Sequence, residues 1–281
     1  MTLDEKAGIA RILRAVRERK PLVHCITNYV TVNDCANALL AIGAAPVMAD
    51  DIGEAADIAA LANAVVINIG TLNERTIRSM FAAAKKAAEL GRPAILDPVG
   101  AGASRLRTET ALALLRDIRF SVIRGNVSEI KTLHAGCGTT RGVDADEKDL
   151  RADGLEAVAA TARSLARKTG AVVAVTGATD ILSDGNRTLA VRNGHALMSR
   201  ITGSGCMLSA ITGGFCGAAP DRLLDAVAAA LCALGLAGEQ AAERMLREGA
   251  GTGSFRTGLI DALSLMDDET LAGGMKLDVC P

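Results

Sequence analysis

The run RITGSGCML, starting at Arg200, carries the densest chemistry in the sequence. Gly203 and Gly205 flank Ser204, and a helical pattern begins there. The backbone N–H groups therefore open at a helix N-terminus, where an anion such as phosphate is favoured. Cys206 stands at that start, a place from which a thiol can act as base or nucleophile, against the commoner outcome of a buried inert cysteine. The run lacks the Lys of a GxxxxGK[ST] loop, and no GxGxxG with a downstream acid follows the first strand, so neither a Walker-type nor a Rossmann-type site is indicated. Two carboxylates add to this set. Asp97 ends an apolar run, and Glu129 lies three residues past Asn126. Oxygen ligands of this kind beside a phosphate suit Mg2+, which keeps several waters and needs only one or two protein carboxylates. Helix capping is the alternative role for each. Arg124 has the charge to neutralise a polyphosphate, or else to make a surface ion pair. His24 and His195 have no nearby acid in sequence to orient them and read as structural.

These residues need a scaffold that gathers them. Short apolar runs alternate with amphipathic helical patterns: strands are expected at Leu22–Cys25, Pro46–Met48, Ala64–Asn68, Ala94–Asp97, Ser121–Arg124 and Ala171–Thr176, with a helix over Val32–Ile42 closed by Gly43. That alternation predicts a mainly parallel sheet covered by helices, an α/β fold in one domain over residues 1–281. Each strand ends in polar or glycine residues, and ligands of open α/β sheets bind outside that carboxyl edge. Asn68, Gly70, Asp97, Gly100, Gly102, Arg124, Asn126, Glu129, Thr176 and Gly177 therefore converge on one site, although such loops also need glycines and polar caps for their own sake. Further along, Asp184-Gly185 predicts a hairpin joining Asp180–Ser183 to Arg187–Arg192. From Gly205 onward the pattern is helical, with runs from Leu223 to about Leu246 and from about Gly258 to Met266. The charged, Gly-containing stretch 140–153 reads as a mobile excursion.

Composition excludes several classes. The 281 residues carry 31 Lys+Arg against 32 Asp+Glu, a net charge of −1, so no positive field is present to hold nucleic acid or an anionic membrane. Hydrophobic content of 49% is too high for a disordered chain. The longest apolar stretch, Ala226–Gly238, is shorter than the roughly 18 to 20 residues a membrane span needs. The N-terminal segment mixes both signs of charge without an apolar h-region and reads as an amphipathic helix, which makes the cytoplasm the default location. Seven cysteines without a CxxC pair argue against a disulfide framework, and three scattered histidines against structural zinc. Aromatic content of 2% leaves no base-stacking platform.

Five segments together resemble the hydroxyethylthiazole kinases, thiamine-salvage enzymes of the ribokinase-like superfamily, over nearly the whole chain. They are PLVHCITNYVTVNDCANALLAIGAAPVMADD from Pro21, ILDPVGAG from Ile95, VIRGNVSEI from Val122, VAVTG from Val173 and NGHALMSRITGSGCMLSA from Asn193. The resemblance implies a ribokinase-like fold with helices on both faces of the sheet, and ATP-dependent phosphorylation of the primary alcohol of 4-methyl-5-(2-hydroxyethyl)thiazole. It implies that Met48 and Gly203 contact the thiazole and that Asn28, Val30, Asn68 and Gly70 line its pocket. It implies that Arg124, Thr176 and Gly205 bind ATP, that Asp97 and Glu129 hold Mg2+, and that the protein is a homotrimer whose sites lie between subunits, with Asn28 and Val30 serving a neighbour's site. Cys206 occupies the place where wider ribokinase-like kinases, such as pyridoxal and pyrimidine kinases, carry an Asp base, and here it is either base or orienter of the alcohol. Departures are small: Ser204 replaces the family's usual Thr, and Cys25 and Asp34-Cys35 vary the N-terminal motif. A non-catalytic binding protein on the same fold is the competing class, and it has no need of the two carboxylates.

Overall fold

The computed structural model describes residues 1–137 and 154–280, and the predicted excursion 140–153 lies outside the described residues. Helix α1 (Leu3–Arg19) starts from Thr2, whose hydroxyl accepts from the Glu5 N–H while the Glu5 carboxylate accepts from the Thr2 N–H. Strands and helices then alternate: β1 (Leu22–Ile26), α2 (Val32–Ile42), β2 (Ala45–Val47), α3 (Ala55–Leu61), β3 (Ala64–Asn68), α4 (Glu74–Glu89), β4 (Ala94–Asp97), α5 (Arg105–Asp117), β5 (Val122–Asn126), α6 (Val127–Gly136), α7 (Leu155–Thr169) and β6 (Val172–Thr176). The hairpin β7 (Asp180–Ser183) and β8 (Thr188–Val191) follows. A 3-10 turn (Ala196–Arg200), α8 (Ser204–Ala218), α9 (Leu223–Glu248), α10 (Thr252–Leu265), α11 (Asp268–Gly274) and β9 (Leu277–Val279) end the described chain.

Among the described residues one nine-stranded sheet contains every strand, in the order β2-β1-β3-β4-β5-β6-β7-β8-β9. Pairs from β2 to β6 are parallel and pairs from β6 to β9 antiparallel. Successive strand side chains point to opposite faces. Val66, Ile95 and Val122 join a core with α1, α2, α8, α9 and α10, whereas Val65, Leu96 and Ile123 join a second core with α3 to α7. The register sets Asn68 beside Asp97 and Asn126 beside Thr176, so the strand ends fall in line. Helix α8 lies close against this sheet because Gly213 permits it: a Cβ there would stand 2.7 Å from Val66 Cγ2 and 2.8 Å from Val23 Cγ1. That seating carries the N-terminus of α8 over the carboxyl ends of the strands.

The expected α/β architecture is present, with differences at its margins. β2 ends at Val47, so Met48 lies just beyond the strand rather than in it. α10 starts at Thr252, earlier than the pattern predicts, because tertiary packing against α9 outweighs the poor helix propensity of Gly253 and Gly258. β9 interrupts a region expected to be helical: three residues at the sheet edge, held by pairing with β8, carry no periodic signal of their own. Among the described residues α9 alone is long and apolar enough to cross a membrane, so the apolar segment is longer than the run Ala226–Gly238 indicates. In its most apolar window, of mean hydropathy 1.4, 78% of the residues are buried, and the helix is a core element of this fold.

Candidate active site

Asp97 ends β4 fully buried. Its Oδ2 accepts from Asn68 Nδ2 at 2.8 Å and from Ser209 Oγ at 2.7 Å, while its Oδ1 is buried with no hydrogen bond among the described residues. Arg124, the middle residue of β5, places Nη1 3.6 Å from Asp97 Oδ2 and donates through Nη2 to Thr176 Oγ1 at 2.9 Å. Burial pushes the Asp97 carboxyl up to about 6. Arg124 and the Ser209 and Asn68 hydrogen bonds pull it down, and the Glu129 charge adds to the rise.

Glu129 occupies the third position of α6 and closes a capping box with Asn126, accepting the Asn126 N–H at 2.8 Å on Oε2. Its Oε1 accepts the Gly100 N–H at 2.8 Å, which ties α6 to the loop after Asp97. Capping and closeness to Asp97 therefore hold together. A further clamp crosses this loop: Arg107 donates to Val99 O at 3.2 Å and to Gly70 O at 2.6 Å.

Gly203 caps α8 with φ +84, and a Cβ there would lie 2.6 Å from Thr31 Cγ2, so the loop closes on α2 only with glycine. The half-buried Cys206 follows in the first turn. Its sulfur accepts from Asn28 Nδ2 at 3.2 Å and from Asn68 Nδ2 at 3.3 Å. The loop after β1 is in turn pinned by Asp34, buried at the start of α2 and paired with Arg256 of α10.

A cleft of about 530 Å³ opens beside these groups. Arg124, Thr176 and Gly205 line it on one side, and Met198, Leu231 and Leu234 supply apolar surface. Asp180 also lines it. Burial pushes that carboxyl up to about 6, against the opposing Gly177 N–H and Arg124. His195 lines the cleft and caps the 3-10 turn through Nδ1. His24 is fully buried with Nε2 at 2.6 Å from Ala49 O, and burial lowers its pKa, consistent with a structural role.

The structure thus joins Asn28, Asn68, Gly70, Asp97, Arg124, Glu129, Thr176, Gly205 and Cys206 into one neighbourhood. Of these only Arg124, Thr176 and Gly205 line the cleft itself, the others being joined to them through hydrogen bonds and ion pairs; Met48, half-buried, and Val30, 54% exposed, belong neither to the cleft lining nor to that bonded set, and Gly203 stands against Thr31 at the start of α8. Sequence reasoning missed Ser209, which the three-residue helical spacing from Cys206 signals, and Arg107 and Asp180, which carry no local signal. Among the described residues no cluster of three or more His, Cys, Asp or Glu is placed to hold a metal. The unpartnered Asp97 Oδ1 with Glu129 nearby is the smaller oxygen set that suits Mg2+.

Residues 13–269 match the hydroxyethylthiazole kinase family. The chain is 54% identical over 278 residues to a hydroxyethylthiazole kinase of Desulfovibrio desulfuricans, covering 96% of this chain and 97% of that one. It is 50% identical over 270 residues to that of Methanocella arvoryzae, covering 96% and 97%. Among solved structures, hydroxyethylthiazole kinase from Pyrococcus horikoshii superposes with a TM-score of 0.87 at 42% identity, over 98% of this chain and 99% of that one. A pyridoxal kinase from Staphylococcus aureus in complex with AMP-PCP and pyridoxal superposes with a TM-score of 0.57 at 14% identity, over 92% and 98%. A ribokinase-like superfamily protein from Enterococcus faecalis gives 0.55 at 12%, over 86% of each. These last two bear on the fold alone, which is ribokinase-like.

Proposed function

The chain belongs to the hydroxyethylthiazole kinase family, and from that premise we propose that it transfers the γ-phosphoryl group of ATP to the primary alcohol of 4-methyl-5-(2-hydroxyethyl)thiazole in thiamine salvage. One observation carries this reading. A continuous set of polar contacts runs from Cys206 through Asn68 to Asp97, and from Asp97 through Arg124 to Thr176 on the wall of the cleft. The proposed acceptor end and the proposed nucleotide end are thereby held in one rigid frame, and alignment is the main task of a phosphoryl-transfer catalyst.

In this reading ATP lies in the cleft, its base against Leu231, Leu234 and Met198, with Arg124 and Thr176 on the polyphosphate. The α8 N-terminus at Gly205 faces the transferred group, where oriented N–H groups stabilise developing negative charge. Met48, Val30 and Gly203 line the thiazole. Cys206 meets the alcohol as base or orienter. Asp97 and Glu129 would hold Mg2+, which when bound supplies charge neutralisation between the phosphates. The whole chain acts as one domain. The exposed Tyr29, Val30 and Ile52 beside the Asn28 loop and Met48 support a homotrimer in which a neighbour covers this rim. A cytoplasmic location accords with a soluble metabolic kinase.

The test is ADP release by the purified protein with Mg-ATP and the thiazole alcohol, with hydroxymethylpyrimidine and pyridoxal as controls. Turnover dependent on the thiazole is expected. Turnover only with a control alcohol would move the substrate, and no turnover at all would overturn the kinase reading.

A further inference from the structure

Both asparagines assigned by resemblance to the thiazole pocket have no hydrogen-bonding capacity left. An Asn side chain offers two N–H donors and an oxygen with two acceptor sites. Asn68 uses all four: Oδ1 accepts from Gly70 N at 2.9 Å and from Asn28 Nδ2 at 3.1 Å, and Nδ2 donates to Asp97 Oδ2 and to Cys206 Sγ. Asn28 does the same. Its Oδ1 accepts from Thr31 N at 3.1 Å and Thr31 Oγ1 at 3.0 Å, and its Nδ2 donates to Asn68 Oδ1 and to Cys206 Sγ. The two amides cannot be turned over. The Gly70 N–H requires an oxygen where Asn68 Oδ1 stands, and that oxygen in turn requires a donor, the NH2 of Asn28, where a turned-over Asn28 would bring oxygen against oxygen, so both NH2 groups are forced toward the sulfur. Asn28 is 5% and Asn68 1% exposed, and a Cβ at Gly70 would fall 2.8 Å from Asn28 Nδ2 and 2.9 Å from Asn68 Oδ1, so the pair is also walled in sterically.

We infer that Asn28 and Asn68 are positioning residues of Cys206 that do not bind substrate. They hold the sulfur from two sides as an acceptor, and Asn68 fixes its place relative to Asp97. Cys206, half-buried, is left as the one group of this trio with a face open to the alcohol. The inference rests on the kinase reading above, and wild-type turnover with the thiazole alcohol is the control that separates the two.

The experiment uses Asn28→Asp, which retains the oxygen that Thr31 needs and removes both donors. Steady-state kinetics with Mg-ATP are read alongside calorimetric binding of the thiazole alcohol and of a non-hydrolysable ATP analogue. The expected result is a kcat lowered tenfold or more, with the thiazole Kd and KM changed less than about twofold and analogue binding retained. A thiazole Kd raised tenfold with kcat preserved would make Asn28 a substrate contact and overturn the inference. A variant unchanged in all three would overturn it as well, since the sulfur would need no such hold. If Asn28→Asp loses analogue binding through misfolding, Asn68→Asp, which alters the other donor to the sulfur, is judged by the same split. If wild type itself shows no thiazole-dependent turnover, it is the kinase reading that fails.

Discussion

Gly205→Ala separates the nucleotide contact from the stability of the fold. A Cβ at this position would lie 2.8 Å from Arg124 Nη1 and 2.9 Å from Nη2. Non-bonded contact is comfortable from about 3.4 Å, so the guanidinium must retreat by roughly 0.6 Å. The obstacle is the far end of a flexible side chain. Gly205 also has an ordinary helical φ, and alanine is preferred over glycine in a helix by about 0.5–1 kcal/mol, so the protein folds at least as well. The retreat instead strains the 2.9 Å bond from Arg124 Nη2 to Thr176 Oγ1 and the 3.6 Å approach to Asp97. A hydrogen bond from a charged group contributes about 1.5–3 kcal/mol, equivalent to roughly 10- to 150-fold in affinity. The expected outcome is an ATP KM raised within that range, measured by coupled ADP release at saturating thiazole alcohol, with an unchanged or slightly higher Tm. An ATP KM within twofold of wild type in a folded variant would refute the placement of Arg124 on the polyphosphate. A lowered Tm would refute the claim that the guanidinium can move cheaply.

Three other outcomes follow from the geometry. Asp97→Asn keeps the Ser209 contact but removes the carboxylate with the unpartnered Oδ1, and it is expected to abolish Mg2+-dependent turnover in a folded protein; retained turnover would refute the metal assignment. Because the Asp97 carboxyl stands at about 6 when folded against 3.8 in the open chain, the stability that its protonated form contributes is fully present below 3.8 and is lost progressively as pH rises to about 6, the folded state holding a proton that the open chain has released. Denaturant unfolding without ligands is then expected to show Asp97→Asn gaining on wild type from pH 4 to pH 6 and levelling above, and a pH-independent difference would contradict the buried site. Gly203→Ala meets both a φ of +84 and the Thr31 methyl at 2.6 Å, so it is expected to lower both Tm and kcat; a Tm equal to wild type would show that the loop yields freely.

Much of the fold was legible because it depends on local periodicity. Apolar runs punctuated by amphipathic helices dictate a parallel sheet with two covered faces, and strand ends rich in Asn, Asp and Gly mark the edge where ligands bind. The hairpin at Asp184-Gly185 was readable for the same reason, Gly185 taking φ +93 at the turn. β9 was not readable, since its three residues become a strand only by pairing with β8.

The site divides along the same line. Asn68, Asp97, Arg124, Glu129, Thr176 and Cys206 stand out in the sequence by type and by position at element ends, and the motifs in their order were enough to reach the family. What each side chain does was decided by tertiary structure alone. Asn28 and Asn68 reach Cys206 across 178 and 138 residues of chain, and Ser209 reaches Asp97 across 112. Glu129 is at once a helix cap and the anchor of the Gly100 loop. Hydrogen-bond capacity is a property of residue type and can be read one position at a time. How that capacity is spent depends on which strand ends and helix starts the packing brings within about 3 Å, which no local pattern encodes.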